Sequence, residues 1–141
     1  MKKSGTAVWS GNLKEGMGSI STESGALDNV QYGFNARFEQ GPGSNPEELI
    51  GAAHAACFTM ALSGQLGEAG MTAQRLMTTA TVTLDKGADG YAITEVHLNL
   101  VATIAGANQA AFEAAALRAK LGCPVSKLLN THITLDARLE N

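Results

Sequence analysis

The 141-residue chain is 45% hydrophobic and 16% charged, enough apolar material for one ordinary domain with a sizeable core and unlike a disordered chain. Its formal charge of −3, without any Lys/Arg cluster, argues against nucleic acid or an anionic membrane as partner, because phosphate binding needs concentrated positive charge. Lys2 and Lys3 lead into SGTAVWSG, which lacks the apolar run of a secretory signal, so a cytoplasmic location is expected.

Residues 7–9 and 19–22 read as short strands separated by Gly11, Gly16 and Gly18, which suggests an N-terminal hairpin. Residues 32–39 (YGFNARFE) alternate, with Tyr32, Phe34, Ala36 and Phe38 on one face and Arg37 on the other, and are expected to form a strand. The GPGSNP segment at 41–46 ends it. Residues 45–65 (NPEELIGAAHAACFTMALSGQ) open as a helix: Asn45 can cap, Pro46 suits the first helical position, and Glu47 and Glu48 complement the dipole. No polar face survives from Leu49 to Leu66, so this central helix is expected to be covered on every side. A membrane span is the weaker reading, since His54, Ser63, Gly64 and Gln65 interrupt a run already shorter than the roughly 20 residues required.

Period two follows. Thr78, Ala80, Val82 and Leu84 alternate against Met77, Thr79, Thr81 and Thr83; DKGADG at 85–90 supplies a turn; and Val96, Leu98, Leu100, Ala102 and Ile104 mark the covered face of a second long strand. Residues 108–121 are alanine-rich without internal Gly or Pro and predict a helix ended by Gly122. A short helix restarts at Pro124 and runs to Leu129, and Ile133, Leu135, Ala137 and Leu139 alternate in a last strand. Strands, buried helix, hairpin, two helices and strand, with no repeated βαβ unit, predict an α+β fold with a mainly antiparallel sheet. With no internal repeat and no long linker, residues 1–141 are expected to form a single domain.

Two cysteines 66 positions apart, in a reducing compartment, leave three readings: buried thiol, metal ligand or redox-active thiol. A thiol reacts as thiolate, so each needs something to hold the charge. Cys57, inside an apolar helix, should have its pKa raised by desolvation and be inert unless a cation reaches it. Cys123, in Gly122-Cys123-Pro124, falls at the N-cap of the short helix, where amides and dipole favour an anion, so spacing alone makes it the more activated thiol. His54 and Cys57 lie three apart, which raises a Cys-His dyad or a zinc site shared with Cys123, although neighbours on one helix rarely give in-line geometry and no second ligand pair is close. No glycine-rich phosphate loop is present. Arg37 on a strand would ordinarily be solvated or paired with a neighbour such as Glu39.

The wording of several stretches is more specific than any single residue. STESG at 21–25, YGFNARFE at 32–39, NPEELIGAAHAACFTMAL at 45–62, and GCPVSKLL followed by ITLD strongly resemble the OsmC branch of the OsmC/Ohr peroxidases, across essentially the whole chain. The resemblance implies an OsmC/Ohr-like fold, an intertwined homodimer, and a thiol-dependent peroxidase that prefers organic hydroperoxides to hydrogen peroxide. It assigns peroxide attack to Cys57, resolution through a Cys57–Cys123 disulfide to Cys123, and activation of the nucleophile to Arg37 and Glu47. Regeneration by an external dithiol, with no flavin, haem or metal cofactor, is also implied. This reverses the preference for Cys123 drawn from spacing; a buried guanidinium held by a carboxylate supplies what the helix interior lacks. The Ohr branch carries its activating arginine elsewhere, so Arg37 rests on the OsmC-type wording, and Glu48 is an alternative to Glu47. The rival class is a non-enzymatic dimeric stress or binding protein with merely buried thiols.

Two further expectations concern the site. Phe58, Met60, Leu49, Phe34 and Phe38 suggest an apolar substrate pocket. Glu47 precedes Cys57 by ten residues, about 15 Å on a continuous helix, so a shared role requires either a helix break near Pro46 or Gly51, or a glutamate reaching across from the partner chain to give composite active sites. The second is favoured.

Overall fold

The computed structural model describes all 141 residues, with six strands and four helices. The chain divides into two compact units, Met1–Leu49 and Ile50–Asn141.

In the first unit, β1 (Gly5–Ser10) and β2 (Met17–Thr22) form the antiparallel hairpin expected from the sequence, paired from Gly5 with Thr22 to Ser10 with Met17. A third strand, β3 (Val30–Tyr32), adds antiparallel to β2. Trp9 and Tyr32 pack with ring centroids 5.5 Å apart. Gly18 lies under both rings, and a Cβ there would collide with them, so the sheet needs a glycine at this point.

The strand expected over 32–39 is not formed beyond Tyr32. After an extended Gly33 the chain turns into a short helix, α1 (Phe34–Phe38). Phe34 and Phe38 are four apart, so the spacing that puts them on one face of a strand also puts them on one face of a helix, where their rings pack at 4.9 Å. Hydrogen bonds from outside the segment decide between the two. Asn45 Nδ2 donates to the Ala36 carbonyl (3.2 Å), and the Ser44 amide donates to Gln31 O (2.8 Å), occupying the free edge of β3.

The central helix, α2 (Pro46–Glu68), starts as read: the Glu48 amide donates to the Asn45 side-chain oxygen at 2.9 Å. It continues without a break through Gly51, whose missing Cβ lets the helix approach the backbone of Ala80. Gly51, His54, Phe58, Leu62 and Leu66, spaced three or four apart, make its buried stripe. The opposite face, Ala52, Ala53, Ala56, Met60, Ser63, Gly64 and Gly67, is exposed in the single chain. The expectation of a helix covered on every side is therefore met on one side only. That bare face carries no charged side chain. Length and composition alone would let α2 cross a membrane, yet its side chains are tied to their neighbours, as by the Thr59 hydroxyl donating to Thr78 Oγ1 (2.7 Å) and Arg118 Nε donating to Gln65 Oε1 (2.6 Å).

In the second unit, β4 (Arg75–Gly87) and β5 (Gly90–Thr103) form the long antiparallel hairpin, with a bulge between Thr83 and Leu84. Helix α3 (Gln109–Gly122), capped by Asn108, whose side chain accepts from the Ala111 amide, and α4 (Pro124–Leu128) lead to β6 (His132–Leu139). Strand β6 lies parallel to β5, so this sheet is mixed while the other three strand pairs are antiparallel. A parallel neighbour needs a crossover, and α3 with α4 provides it. The core closes between Val96, Leu98, Leu100, Ala102 and Ile104 of the sheet, Phe58, Leu62 and Leu66 of α2, and Phe112, Ala115, Ala116 and Ala119 of α3. The alanines let α3 lie close against the sheet, and each large apolar side chain stabilises the fold by about 1.5–3 kcal/mol on burial.

Candidate active site

Cys123 closes α3 and opens α4 in one residue. Its amide donates to Ala119 O (3.0 Å) at the end of α3, and its sulfur accepts from the Ser126 amide (3.3 Å) as the N-cap of α4. This cap was legible from Cys-Pro. The sulfur is fully buried. Cys57, half-buried on α2, is close enough to Cys123 for the two thiols to affect one another, and neither is in a disulfide.

Burial pushes the Cys57 thiol above its usual range, the backbone N–H of Val125 opposes the rise, and neighbouring Cys123 adds to it. No cation enters among these causes. The expectation that the helix interior disfavours a thiolate at Cys57 holds, and the Val125 amide is the one group found to favour it.

Arg37 and Glu47 meet within the first unit. Both Nε (3.1 Å) and Nη2 (2.9 Å) of the guanidinium donate to Glu47 Oε1, which leaves Glu47 Oε2 buried without a partner. The Arg37 side chain is 40% exposed and that of Glu47 only 12%, so the carboxylate is the fixed member and the guanidinium keeps an open side. The Phe38 ring, 5.3 Å away, steadies the cation from below. The ordinary alternatives for Arg37, solvation or Glu39, give way to this pair. Glu48 is engaged elsewhere, accepting from the Ser44 hydroxyl at 2.7 Å, so Glu47 is the glutamate that supports Arg37.

The four residues thus form two pairs, one in each unit, and the continuous helix between Glu47 and Cys57 separates those two by about 15 Å along its axis. A cavity of about 170 Å3 next to Arg37 is lined by Trp9, Leu13, Tyr32, Phe34 and Phe38. Phe34 and Phe38 were expected there. Phe58 is not available to any pocket, being fully buried in the core of the second unit, where helical spacing aims it at the sheet. The sequence pattern places Tyr32 on the same face as Phe34 and Phe38, whereas Trp9 of β1 and Leu13 of the turn after it were missed because they are far in sequence from α1.

No hydrogen bond joins His54 to Cys57, and no cluster of three or more His, Cys, Asp or Glu side chains is placed to hold a metal ion. His54 Nε2 lies 2.7 Å from Ser126 Oγ, which in turn lies 3.2 Å from Cys123 Sγ. Sequence reasoning missed Ser126, although its position three residues after Cys123 is the capping distance.

Residues 39–138 match the family described as OsmC-like protein. The chain is 52% identical over 139 residues to Peroxiredoxin OsmC of Escherichia coli strain K12, covering 99% of this chain and 97% of that protein. Among solved structures it resembles an OsmC-like protein of unknown function from Vibrio cholerae (TM-score 0.79, 15% identity, 98% of this chain and 99% of that one). It also resembles the organic hydroperoxide resistance protein OhrB of Bacillus subtilis (TM-score 0.69, 24% identity, 97% and 98%). At those identities the solved structures speak for the fold, which is the α+β fold of the OsmC and Ohr proteins. The chain belongs to the OsmC-like protein family.

Proposed function

We propose that the protein is a thiol-dependent, cysteine-based peroxidase that reduces organic hydroperoxides and works as a homodimer. The observation that carries this reading is the contact between two unbridged cysteines, Cys57 and Cys123, in a chain 52% identical to a peroxiredoxin. The Cys57 thiolate attacks the distal peroxide oxygen; an S–O bond forms, the O–O bond breaks, and the departing alkoxide takes up a proton to become the alcohol. Cys123 sulfur then attacks the sulfenic sulfur, forming the S–S bond as hydroxide leaves and becomes water. Both electrons taken by the peroxide come from the two thiols, and an external dithiol returns them by disulfide exchange. A resting dithiol of this kind suits a reducing cytoplasm.

Attack requires a cation at Cys57, because burial opposes the thiolate. Arg37, held by Glu47, is the group we assign. The unbroken helix between Glu47 and Cys57 supports supply of that pair by the partner subunit, giving two composite sites per dimer. The bare apolar face of α2 supports the same dimer, as do the exposed Val8, Leu13 and Met17 of the first unit and Met77 of the second. The aromatic cavity beside Arg37 would take the alkyl group, favouring bulky hydroperoxides over hydrogen peroxide.

The test is intact mass before and after one equivalent of cumene hydroperoxide. The peroxidase loses the mass of two hydrogen atoms, and the peptide linking Cys57 to Cys123 appears on digestion. An unchanged mass with peroxide left unconsumed would establish the rival, a non-enzymatic dimeric stress or binding protein.

A further inference from the structure

We infer that Ser126 and His54 form a proton relay that takes the proton from Cys123 as it resolves the sulfenic acid, which makes Ser126 a catalytic residue and His54 a positioning residue acting through it. The inference rests on the proposed peroxidase function and concerns its second step alone.

The geometry is a short chain of three groups from two places in the sequence, α2 and the head of α4. Cys123 Sγ lies 3.2 Å from Ser126 Oγ, and Ser126 Oγ lies 2.7 Å from His54 Nε2. The Ser126 amide already donates to the sulfur at 3.3 Å, so the thiol proton is free to point at the hydroxyl oxygen, and the hydroxyl proton at the imidazole. This arrangement places the remaining imidazole proton on Nδ1, which is buried and has no partner. A fully buried histidine with one nitrogen unpaired is an uneconomical way to fill a core made of apolar side chains. A role in chemistry accounts for it.

The surroundings keep the imidazole neutral and able to accept. Cys57, three residues along α2, and Cys123 at the head of α4 are the titratable groups beside it. Of the nearby cations on α3 and α4, Arg118 is drawn to Gln65, and Lys127 is exposed. Burial alone lowers the His54 pKa, with no charged side chain contributing. The step balances without a further reagent. The Cys123 S–H bond breaks, its proton passes to Ser126 as the hydroxyl proton passes to His54 Nε2, the S–S bond forms, and the S–O bond at Cys57 breaks. The departing hydroxide and the transferred proton make one water.

The experiment is single-turnover kinetics with one equivalent of cumene hydroperoxide. Sulfenic acid is trapped with a 1,3-diketone, and disulfide is followed by quenched mass analysis from about pH 6 to 8. In the native protein, disulfide formation is nearly independent of pH over this range, because a neutral base is present throughout. In Ser126→Ala and His54→Gln, sulfenic acid forms at the native rate. Disulfide formation is then slower by about a hundredfold at the acid end and rises about tenfold per pH unit, as thiolate made by bulk base takes over. Ser126→Thr, which restores the hydroxyl, returns the flat profile. Native disulfide rates with a native profile in both variants would overturn the relay, as would equal slowing of both steps with the profile unchanged, which would assign the two residues to structure alone. Failure of the peroxidase reading gives a different result: no sulfenic acid at Cys57 in any of the four proteins.

Discussion

The pair Arg37–Glu47 and the pair Cys57–Cys123 differ in what burial does to them. In the first, the carboxylate is buried and the guanidinium half open, so opposite charges meet where one is fixed and the other still reaches solvent. In the second, two thiols sit together and burial disfavours the thiolate of the nucleophile. The first pair has no thiol beside it, and no cation is among the groups that shift the Cys57 thiol. Under the proposed composite site, reactivity divided in this way is switched on by assembly: a lone chain carries a protected thiol, and the partner's guanidinium completes the active species.

The largest effects break the thiol side. Cys57→Ser abolishes peroxide consumption, measured by loss of cumene hydroperoxide, whereas Cys123→Ser completes a first turnover and then accumulates sulfinic acid at Cys57. Peroxide consumption by Cys57→Ser, with the oxidised species on Cys123, would restore Cys123 to the role that its helix-capping position first suggested.

Next come changes on the charged side. Arg37→Met and Glu47→Ala each slow sulfenic acid formation by about a hundredfold or more, the scale for losing one preorganised charge partner. Subunit mixing then sharpens the comparison. Cys57→Ser chains exchanged with Glu47→Ala chains regain activity if the two pairs come from different subunits, because one site in each mixed dimer has both an intact Cys57 and an intact Glu47. Verified heterodimers without activity would show that each site is built within one chain.

A smaller effect separates binding from chemistry. Phe34→Ala lowers kcat/KM for cumene hydroperoxide about tenfold through lost apolar burial, and leaves hydrogen peroxide nearly untouched. Equal losses for both substrates would remove the aromatic cavity from substrate choice.

The smallest is a pH effect on stability. The folded-state pKa of His54 is lowered, so the group contributes stability that is present above its unfolded value near 6.5 and lost as pH falls below it. Urea midpoints of the native protein should fall more steeply below about pH 6.5 than those of His54→Gln. Parallel curves would show that His54 does not titrate with folding.

Most elements were readable where local chemistry and packing agree. Asn45 caps as its position suggests, and the alternation of Val96, Leu98 and Leu100 marked the buried face of β5. The misreadings have definite causes. Phe34 and Phe38 satisfy both helical and strand spacing, and the choice was made by Asn45 and Ser44, which lie outside the segment. The alternation in β6 marks its faces and is silent on direction, so its parallel pairing depends on the path through α3 and α4. Composition identified α2 as a core helix because it lacks a charged face, yet could not say whose core covers it. In the site, motif wording named Cys57, Cys123, Arg37 and Glu47. It contained Val125 and Ser126 in GCPVSKLL without giving either a role, because a backbone donor and a hydrogen bond spanning 72 positions leave no pattern in side-chain spacing.

One sulfur atom forms the joint between α3 and α4. Because Cys123 Sγ accepts the Ser126 amide at the head of a five-residue helix, turning that sulfur toward Cys57 to make a disulfide competes with the only side-chain cap this helix has. Redox state is thereby written into backbone order. The Ser126 amide becomes a natural reporter, slow to exchange with deuterium in the dithiol form and faster in the disulfide, so hydrogen exchange at one residue can follow the catalytic cycle without any label.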